Sequence, residues 1–323
     1  MGPLMADFPL ISIPVFTYNG ADFLAAQLDS LYAQTYPNIE ILVCDDGSTD
    51  ETVRILKCYE ASHGLNFEQN SENIGLNKNV EKALGLCAGE YIAPCDQDDI
   101  WYPDKIQILF DAIENNQLIY SKNIRIGVND QVIEEDFKKT DYLISGNNAL
   151  AFLFGNCASG HTMLFRQSLI SELSPMPPDI LLFDKWIVFV AALVGAVAYV
   201  DKPLVKYRQH ENQTTFAKKI KTINPIKRFI IKDAEKKKGF NNLLEIITLF
   251  HDKMPVEHEE KWIVTLIKDE YKKLQYCYFS PILYGIYVKY SDKLFAMSNE
   301  AKHAKISKRM ARGVWYYRLR LYL

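Results

Sequence analysis

Between residues 10 and 96, short apolar runs suited to strands alternate with amphipathic stretches suited to helices. Strands are predicted at 10–15, 39–45, 66–68 and 91–96, and helices at 21–33, 50–63 and 77–86. That alternation builds an α/β fold with a mostly parallel central sheet, because successive parallel strands need a crossover and a helix is the compact one. Ligands on such sheets lodge beyond the carboxyl ends of the strands. The informative polar residues fall at those ends. Tyr18 and Asn19 follow the first strand, Asp45 and Asp46 end the second, and Asp96, Asp98 and Asp99 end the fourth. Further strands are predicted at 118–123, 162–165 and 196–200, with helices from Pro103, at 147–154 and at 183–194.

Past Arg208-Gln209-His210 the pattern changes to long helical periodicity with Lys and Arg interleaved, which places a boundary near residue 215. Helices are predicted there at 225–237, 242–252, 257–275 and 300–322. Charge divides the chain at the same point. Residues 1–215 carry 14 Lys and Arg against 29 Asp and Glu, whereas 216–323 carry 23 against 11, so the two parts are expected to do different work. With 323 residues, 48% of them apolar, the chain has enough material for a sizeable core and two domains. The six cysteines stand singly with no C-x-x-C pair, which argues against a zinc site or a disulfide framework and fits a reducing cytoplasm. No apolar run reaches the ~20 residues of a bilayer span, and no signal-peptide pattern opens the chain.

Three acids within four positions, Asp96-Gln97-Asp98-Asp99, repel one another unless a cation sits among them. Hard oxygen ligands suit Mg²⁺ or Mn²⁺, held by one or two carboxylates together with the oxygens of a substrate diphosphate. The plainer alternative is an acidic loop capping the helix near Pro103. In the same way Ser48 or Asp50 can simply cap the second helix, but capping leaves two adjacent acids at 45 and 46 unexplained. Asp46 can accept a hydrogen bond from a base imide or a ribose hydroxyl, and Tyr18 can stack on the base. Asn73 leads to Gly75, whose backbone freedom suits a loop entering a helix, and Lys78 can meet a phosphate or stay solvated. Asp184 opens an apolar helix, where it either complements the helix dipole or serves as a general base, with Lys185 and Trp186 shaping a sugar pocket. His210 can complete a metal site and Arg208 can offset phosphate charge, although a lone His is more often an ordinary hydrogen-bonded residue. His161, after Gly160, can line the acceptor side.

Several segments between residues 8 and 215 stand in an order that resembles the family 2 glycosyltransferases of GT-A fold, in particular their bacterial rhamnosyltransferase-like branch. They are Ile13-Pro14-Val15-Phe16-Thr17-Tyr18-Asn19, Gln34-Thr35-Tyr36-Pro37-Asn38-Ile39-Glu40, Asp45-Asp46-Gly47-Ser48-Thr49-Asp50, Asn73-Ile74-Gly75, Gly89-Glu90-Tyr91-Ile92 and Asp96-Gln97-Asp98-Asp99-Ile100-Trp101. The resemblance implies an inverting, metal-dependent enzyme. It would move one sugar from a nucleotide-diphosphate donor, either deoxythymidine-diphosphate rhamnose or a uridine-diphosphate hexose, to a hydroxyl of a growing cell-surface glycan or lipid-linked saccharide. By position it implies Mn²⁺ or Mg²⁺ on Asp98, joined by His210. The donor side then takes Pro14, Phe16, Tyr18, Asn19 and Asp46 from the first two strands. It also takes Asn73, Gly75 and Lys78 from the third loop, with Asp96, Gln97 and Arg208. The base falls on Asp184, where the family's usual Glu-Asp pair reads Phe183-Asp184. The acceptor side takes Asp99, Trp101, His161, Lys185 and Trp186. The Gln-x-x-Arg-Trp motif of processive synthases is missing, the region reading Tyr207-Arg208-Gln209-His210, so one sugar per encounter is expected.

Near the carboxyl terminus Lys302, Lys305, Lys308, Arg309 and Arg312 precede Trp315, Tyr316, Tyr317, Arg318 and Arg320. A helix of that composition can lie on an anionic leaflet, which would make the protein cytoplasmic and peripheral on the inner face of the membrane. It can equally dock on the acidic part or form a homodimer contact. Nucleic acid is not an expected partner. Two other functions compete with the transferase: a nucleotidyltransferase, which needs a Gly-rich phosphate loop that 14–19 lacks, and a non-catalytic glycan- or membrane-binding module.

Overall fold

A computed structural model describes residues 8–134, 143–178, 181–211 and 225–313, the side chains of 134 and 225–237 excepted. The chain divides into two compact units, Met1–Asn148 with Asn156–Gln213, and Ala149–Gly155 with Thr214–Leu323.

The first unit is built on a sheet of ten strands among the described residues. Its strands are β1 (Ile11–Thr17), β2 (Ile39–Asp45), β3 (Asn66–Gln69), β4 (Tyr91–Ile92), β5 (Cys95–Asp96), β6 (Ile100–Trp101), β7 (Leu118–Ile126), β8 (Val132–Glu134), β9 (Met163–Arg166) and β10 (Val197–Arg208). The main order is β3-β2-β1-β4-β9-β7-β10-β6, with β5 on β1 and β8 on β7. Strands β3, β2, β1, β4 and β5 are parallel, as expected, while β6, β8 and β9 pair antiparallel and make the whole sheet mixed.

Parallel register is what gathers the site. Thr17 stands opposite Asp45, and Phe16 opposite Asp96, so three strands release their polar ends at one edge. The single strand expected at 91–96 is two short ones on one register. Ile11 pairs with Tyr91 and Val15 with Cys95, which leaves Pro14 facing Pro94 across the gap. Neither proline carries an N–H, so the ladder breaks at that rung.

Helices α1 (Leu24–Tyr32), α2 (Thr52–His63), α3 (Leu76–Leu86) and α4 (Lys105–Ile113) cross between the strands. All seven residues of β1 are buried. Ile11, Ile13 and Val15 pack in one cluster with Leu24, Leu28 and Leu31 of α1 and Ile106, Leu109 and Ile113 of α4. Each such side chain contributes about 1.5–3 kcal/mol by leaving water. The four-residue α5 (Ala151–Phe154) and α6 (Ile170–Leu173) precede α7 (Phe183–Val194), which is buried continuously from Trp186 to Ala192, as a helix apolar on all faces must be. The expected strand at 196–200 runs on to Arg208. Asp201-Lys202-Pro203 hide that continuation in the sequence, and the strand accommodates them by two register shifts against β7 on either side of Pro203.

The second unit takes up α5 and holds α8 (Pro225–Lys253), α9 (Lys261–Leu274), α10 (Pro281–Lys289), α11 (Ser291–Leu294) and α12 (His303–Met310). The helices expected at 225–237 and 242–252 are one, running through Gly239. Helix α10 was not expected. Its start is nonetheless well marked, with Pro281 in the first turn and the Ser280 hydroxyl accepting from the Leu283 amide at 3.2 Å. Phe154 packs against Tyr287 and Phe295, which ties α5 into this unit. The helix expected at 300–322 is an α-helix only from His303 to Met310 among the described residues, and Trp315, Tyr316, Tyr317, Arg318 and Arg320 lie outside them. No helix among the described residues is long and apolar enough to cross a membrane.

Candidate active site

At the edge where β1 and β2 end, Asp45 is fully buried and spent on the turn. It accepts from Thr17 Oγ1 and from the Ser48 amide, each at 2.9 Å. Asp46 points the other way. Its Oδ1 accepts from Asn70 Nδ2 and the Ile74 amide, both at 2.9 Å, and its Oδ2 from the Gly75 amide at 3.1 Å. Asp46, 3% exposed, therefore holds the loop before α3. Gly75 has φ of 93°, a conformation that a β-carbon would strain, which explains the glycine. Asn73 and Lys78 are exposed beside it.

Tyr18 is 45% exposed, and its backbone is clasped by Gln97: the amide donates to Oε1 at 2.9 Å and the carbonyl accepts from Nε2 at 3.1 Å. Gln97 thus fastens the first loop to the acidic segment. Asn19, with φ of 49°, accepts the Thr49 amide at 2.9 Å and gives its own amide to Ser48 Oγ at 2.8 Å. Asn77 and Asn79, which the sequence reading passed over, are buried. Asn79 donates to the Cys44 carbonyl at 2.9 Å, and Asn77 to the Leu181 carbonyl at 2.7 Å, so α3 is pinned both to β2 and to the segment entering α7.

The acids of residues 96–99 separate into two groups. Asp98 Oδ2 lies 2.8 Å from His210 Nε2, and the imidazole rests against Phe23 with ring centroids 4.8 Å apart. Asp96 and Asp99 meet His161 instead. Its Nδ1 is 3.2 Å from Asp96 Oδ2 and 3.1 Å from Asp99 Oδ2, and the three side chains offer ligand atoms within 4.8 Å of one another. Asp99 is fully buried, which drives its pKa up to about 7 against the pull of His161. Burial pushes the His161 pKa down, but Asp99 and Asp96 reverse this and leave it raised. The Asn123 amide sits 3.1 Å from His161 Nε2, and Tyr207 stacks on the ring at 4.9 Å. Beneath, the fully buried Lys105 donates to the His161 carbonyl at 2.8 Å and lies over the Trp101 ring, and burial holds its pKa well below the usual amine range.

Asp184 opens α7, with its carboxylate accepting the Lys185 amide at 2.6 Å. Burial raises its pKa to about 6, and the charges of Asp96 and His161 act on it too, which places it within electrostatic reach of the cluster. Burial lowers the pKa of Lys185 to about 8, against the pull of Asp184. Phe183 is buried against Phe16, with ring centroids 5.5 Å apart, so the position where Glu is usual carries a packing ring.

Several expected ligand contacts are corrected by burial. Arg208 is 2% exposed, and its guanidinium is committed to the carbonyls of Asp98, Gly127 and Val128 and to Asp130, so it holds the acidic segment rather than a phosphate. Pro14 and Phe16 lie buried inside β1. Trp101 is 2% exposed within the core cluster. Trp186 is 5% exposed with its indole N–H on the Leu173 carbonyl at 2.9 Å. Both tryptophans belong to the core. Large apolar side chains beside a partly buried acid are core before they are pocket.

Residues 12–173 match the family described as "Glycosyl transferase family 2". The chain belongs to that family. This glycosyltransferase is 27% identical to an uncharacterized glycosyltransferase of Haemophilus influenzae, over 93% of this chain and 97% of the relative. It is 34% identical to the Escherichia coli UDP-Glc:alpha-D-GlcNAc-diphosphoundecaprenol beta-1,3-glucosyltransferase WfaP, over 40% of this chain and 48% of that protein. Among solved structures, S. aureus TarS 1–349 in complex with UDP-GlcNAc superposes with a TM-score of 0.59 at 16% identity, covering 95% of this chain and 89% of that one. The mannosyltransferase PcManGT of Pyrobaculum calidifontis, in complex with GDP-Man and Mn²⁺, superposes with a TM-score of 0.55 at 17% identity, covering 94% and 80%. The fold of the glycosyltransferase is GT-A, and family membership excludes the nucleotidyltransferase and non-catalytic readings.

Proposed function

We propose that the glycosyltransferase moves a single hexose, with inversion, from a nucleotide-diphosphate donor to a hydroxyl of a bacterial cell-surface glycan carried on a lipid. The observation that carries this reading is the meeting of Asp98 with His210. Asp98 Oδ2 and His210 Nε2, brought within 2.8 Å of each other, are an oxygen and nitrogen donor pair that would hold Mn²⁺ or Mg²⁺.

When bound, the ion supplies positive charge opposite the departing diphosphate. Tyr18 offers its exposed ring to the base, the loop held by Asp46 borders the nucleoside, and Asp96 borders the sugar. Asp184 takes the proton from the acceptor hydroxyl as it attacks the anomeric carbon, a contribution worth about 10²–10⁴-fold. Its raised pKa suits that work, since a base near neutrality holds a proton after the transfer while remaining ionised before it. Lys185, beside it, borders the acceptor.

The donors and acceptor printed for the relatives support a uridine-diphosphate hexose over deoxythymidine-diphosphate rhamnose and a diphosphate-linked lipid as carrier. The exposed Lys302, Lys305, Lys308 and Arg309 of the α12 region give a basic face suited to an anionic leaflet, which supports a membrane-peripheral enzyme on the cytoplasmic side. The test is release of nucleotide diphosphate from a panel of nucleotide sugars with and without Mn²⁺. Turnover of a UDP-hexose that requires the metal is expected; metal-independent turnover, or none with any donor, refutes the proposal.

A further inference from the structure

His161 sits in a short 3₁₀ turn, Gly160–Thr162, that touches both halves of the chemistry. On one side its imidazole reaches Asp96 and Asp99 through Nδ1 at 3.2 and 3.1 Å. Two contacts restrain the ring, Tyr207 stacked on its face and Asn123 at Nε2, and Lys105 holds the backbone through the His161 carbonyl. On the other side, Gly160 lies directly against the ring of Phe183. A β-carbon at residue 160 would come within 2.5 Å of Phe183 Cζ and 2.6 Å of Cε2. Phe183 is itself 4% exposed and wedged on Phe16, so the ring has nowhere to swing. The next residue is Asp184.

We infer that the Gly160–His161 turn is a positioning element that sets the separation between the donor-side carboxylate Asp96 and the base Asp184. His161 orients Asp96 by hydrogen bonding, and Gly160, by lacking a side chain, lets the first turn of α7 approach. Asp96 stands two residues before the metal-holding Asp98, so freeing it from His161 loosens the segment that presents Asp98 and is expected to weaken metal binding by about tenfold or more. A base displaced by about 1 Å loses roughly 10²-fold in rate. This inference rests on the assignment of Asp98 to the metal and of Asp184 to the base.

Four variants of the full chain test it. In His161→Asn the side-chain amide stands where Nδ1 does; in His161→Gln it stands where Nε2 does. Calorimetry with Mn²⁺ alone is expected to give His161→Asn an affinity within about threefold of the parent and His161→Gln one weaker by about tenfold or more. Equal affinities in two variants that melt alike overturn the role of His161. Gly160→Ala is expected to keep Mn²⁺ affinity within about twofold, to shift the first turn of α7 in a crystal structure, and to lower UDP-hexose turnover at least about tenfold. Adding Phe183→Leu to Gly160→Ala restores most of that turnover. An unmoved helix, parental turnover, or a loss that Phe183→Leu leaves in place overturns the role of Gly160. Failure of the underlying reading shows separately, as parental Mn²⁺ affinity in Asp98→Asn or parental turnover in Asp184→Asn.

Discussion

His210 Nε2 lies 2.8 Å from Asp98 Oδ2, across 112 positions of sequence. Antiparallel pairing of β10 with β6 makes the meeting possible: Lys206 stands opposite Ile100, so the chain leaving β10 passes back over the residues before β6. Replacing His210 by Ala, or Asp98 by Asn, is expected to weaken Mn²⁺ binding by about tenfold or more while leaving the fold intact. Calorimetric titration of each purified variant measures the change, and affinities equal to the parent's would remove both residues from the metal site.

Chelation carries the same idea to the whole enzyme. With EDTA in excess, nucleotide release is expected to fall to background and to return on adding Mn²⁺, because a diphosphate leaving group then lacks its counter-charge. Turnover that persists in EDTA contradicts this expectation.

The role proposed for Asp184 fixes the sign of a pH dependence. A base must be ionised, so turnover is expected to be full well above pH 6 and to decline as pH falls through about 6. Stability runs the opposite way. A carboxyl raised from 3.8 to about 6 contributes its stabilisation below the lower value and loses it as pH rises through the upper one. Asp184→Asn is therefore expected to lower turnover by about 10²–10⁴-fold and yet to stabilise the fold at pH 7.5 by on the order of 1–2 kcal/mol. Paired rate and urea-melt measurements check both signs.

Arg208 is committed to four partners, and Lys cannot reproduce a planar fork. Arg208→Lys is expected to cost about 2–4 kcal/mol of stability, since buried carbonyls lose their donors. If the guanidinium served a phosphate instead, the substitution would leave the urea midpoint unchanged and weaken donor binding.

Gly20 lies where a β-carbon would meet Gln97 Oε1 at 2.1 Å. Gly20→Ala is expected to break the clasp on Tyr18 and weaken donor binding, while in a Gln97→Ala background the same change adds nothing. A double-mutant cycle on donor affinity reads the coupling, and additive effects would show that no clasp operates.

Much of the half of the sheet around β1 and β2 was legible because period and punctuation agree there. Strands β1 and β2 are mostly apolar, Gly75 and Gly64 mark helix boundaries, and the acids of residues 45–46 and 96–99 stand at strand ends. Other features depend on long-range pairing that no local pattern records. Two-residue β6 and three-residue β8 are too short to show a period, and β10 is disguised by Asp201-Lys202-Pro203. Within the site, residue types announced the chemistry better than the partners. Asp98 and His210 were expected on one metal ion, and their side chains do meet at 2.8 Å, whereas the capture of Asp96 and Asp99 by His161 was not expected, because His161 carries no local signal beyond its Gly. Lys105 and Asn123 were missed for the same reason: a polar residue within an apolar stretch reads as surface until its burial is known.

The double register shift around Pro203 decides which side of the sheet each residue of the strand's last stretch addresses. Tyr207 turns toward the imidazole of His161, and Arg208, one step on, turns toward the carbonyls of 98, 127 and 128. Deleting one residue between 201 and 204 would draw each later residue back by one place. The guanidinium would arrive beside an imidazole that already bridges two acids, Gln209 would face the carbonyls that Arg208 had held, and a remote edit with no ligand contact would dismantle the acidic rim from behind.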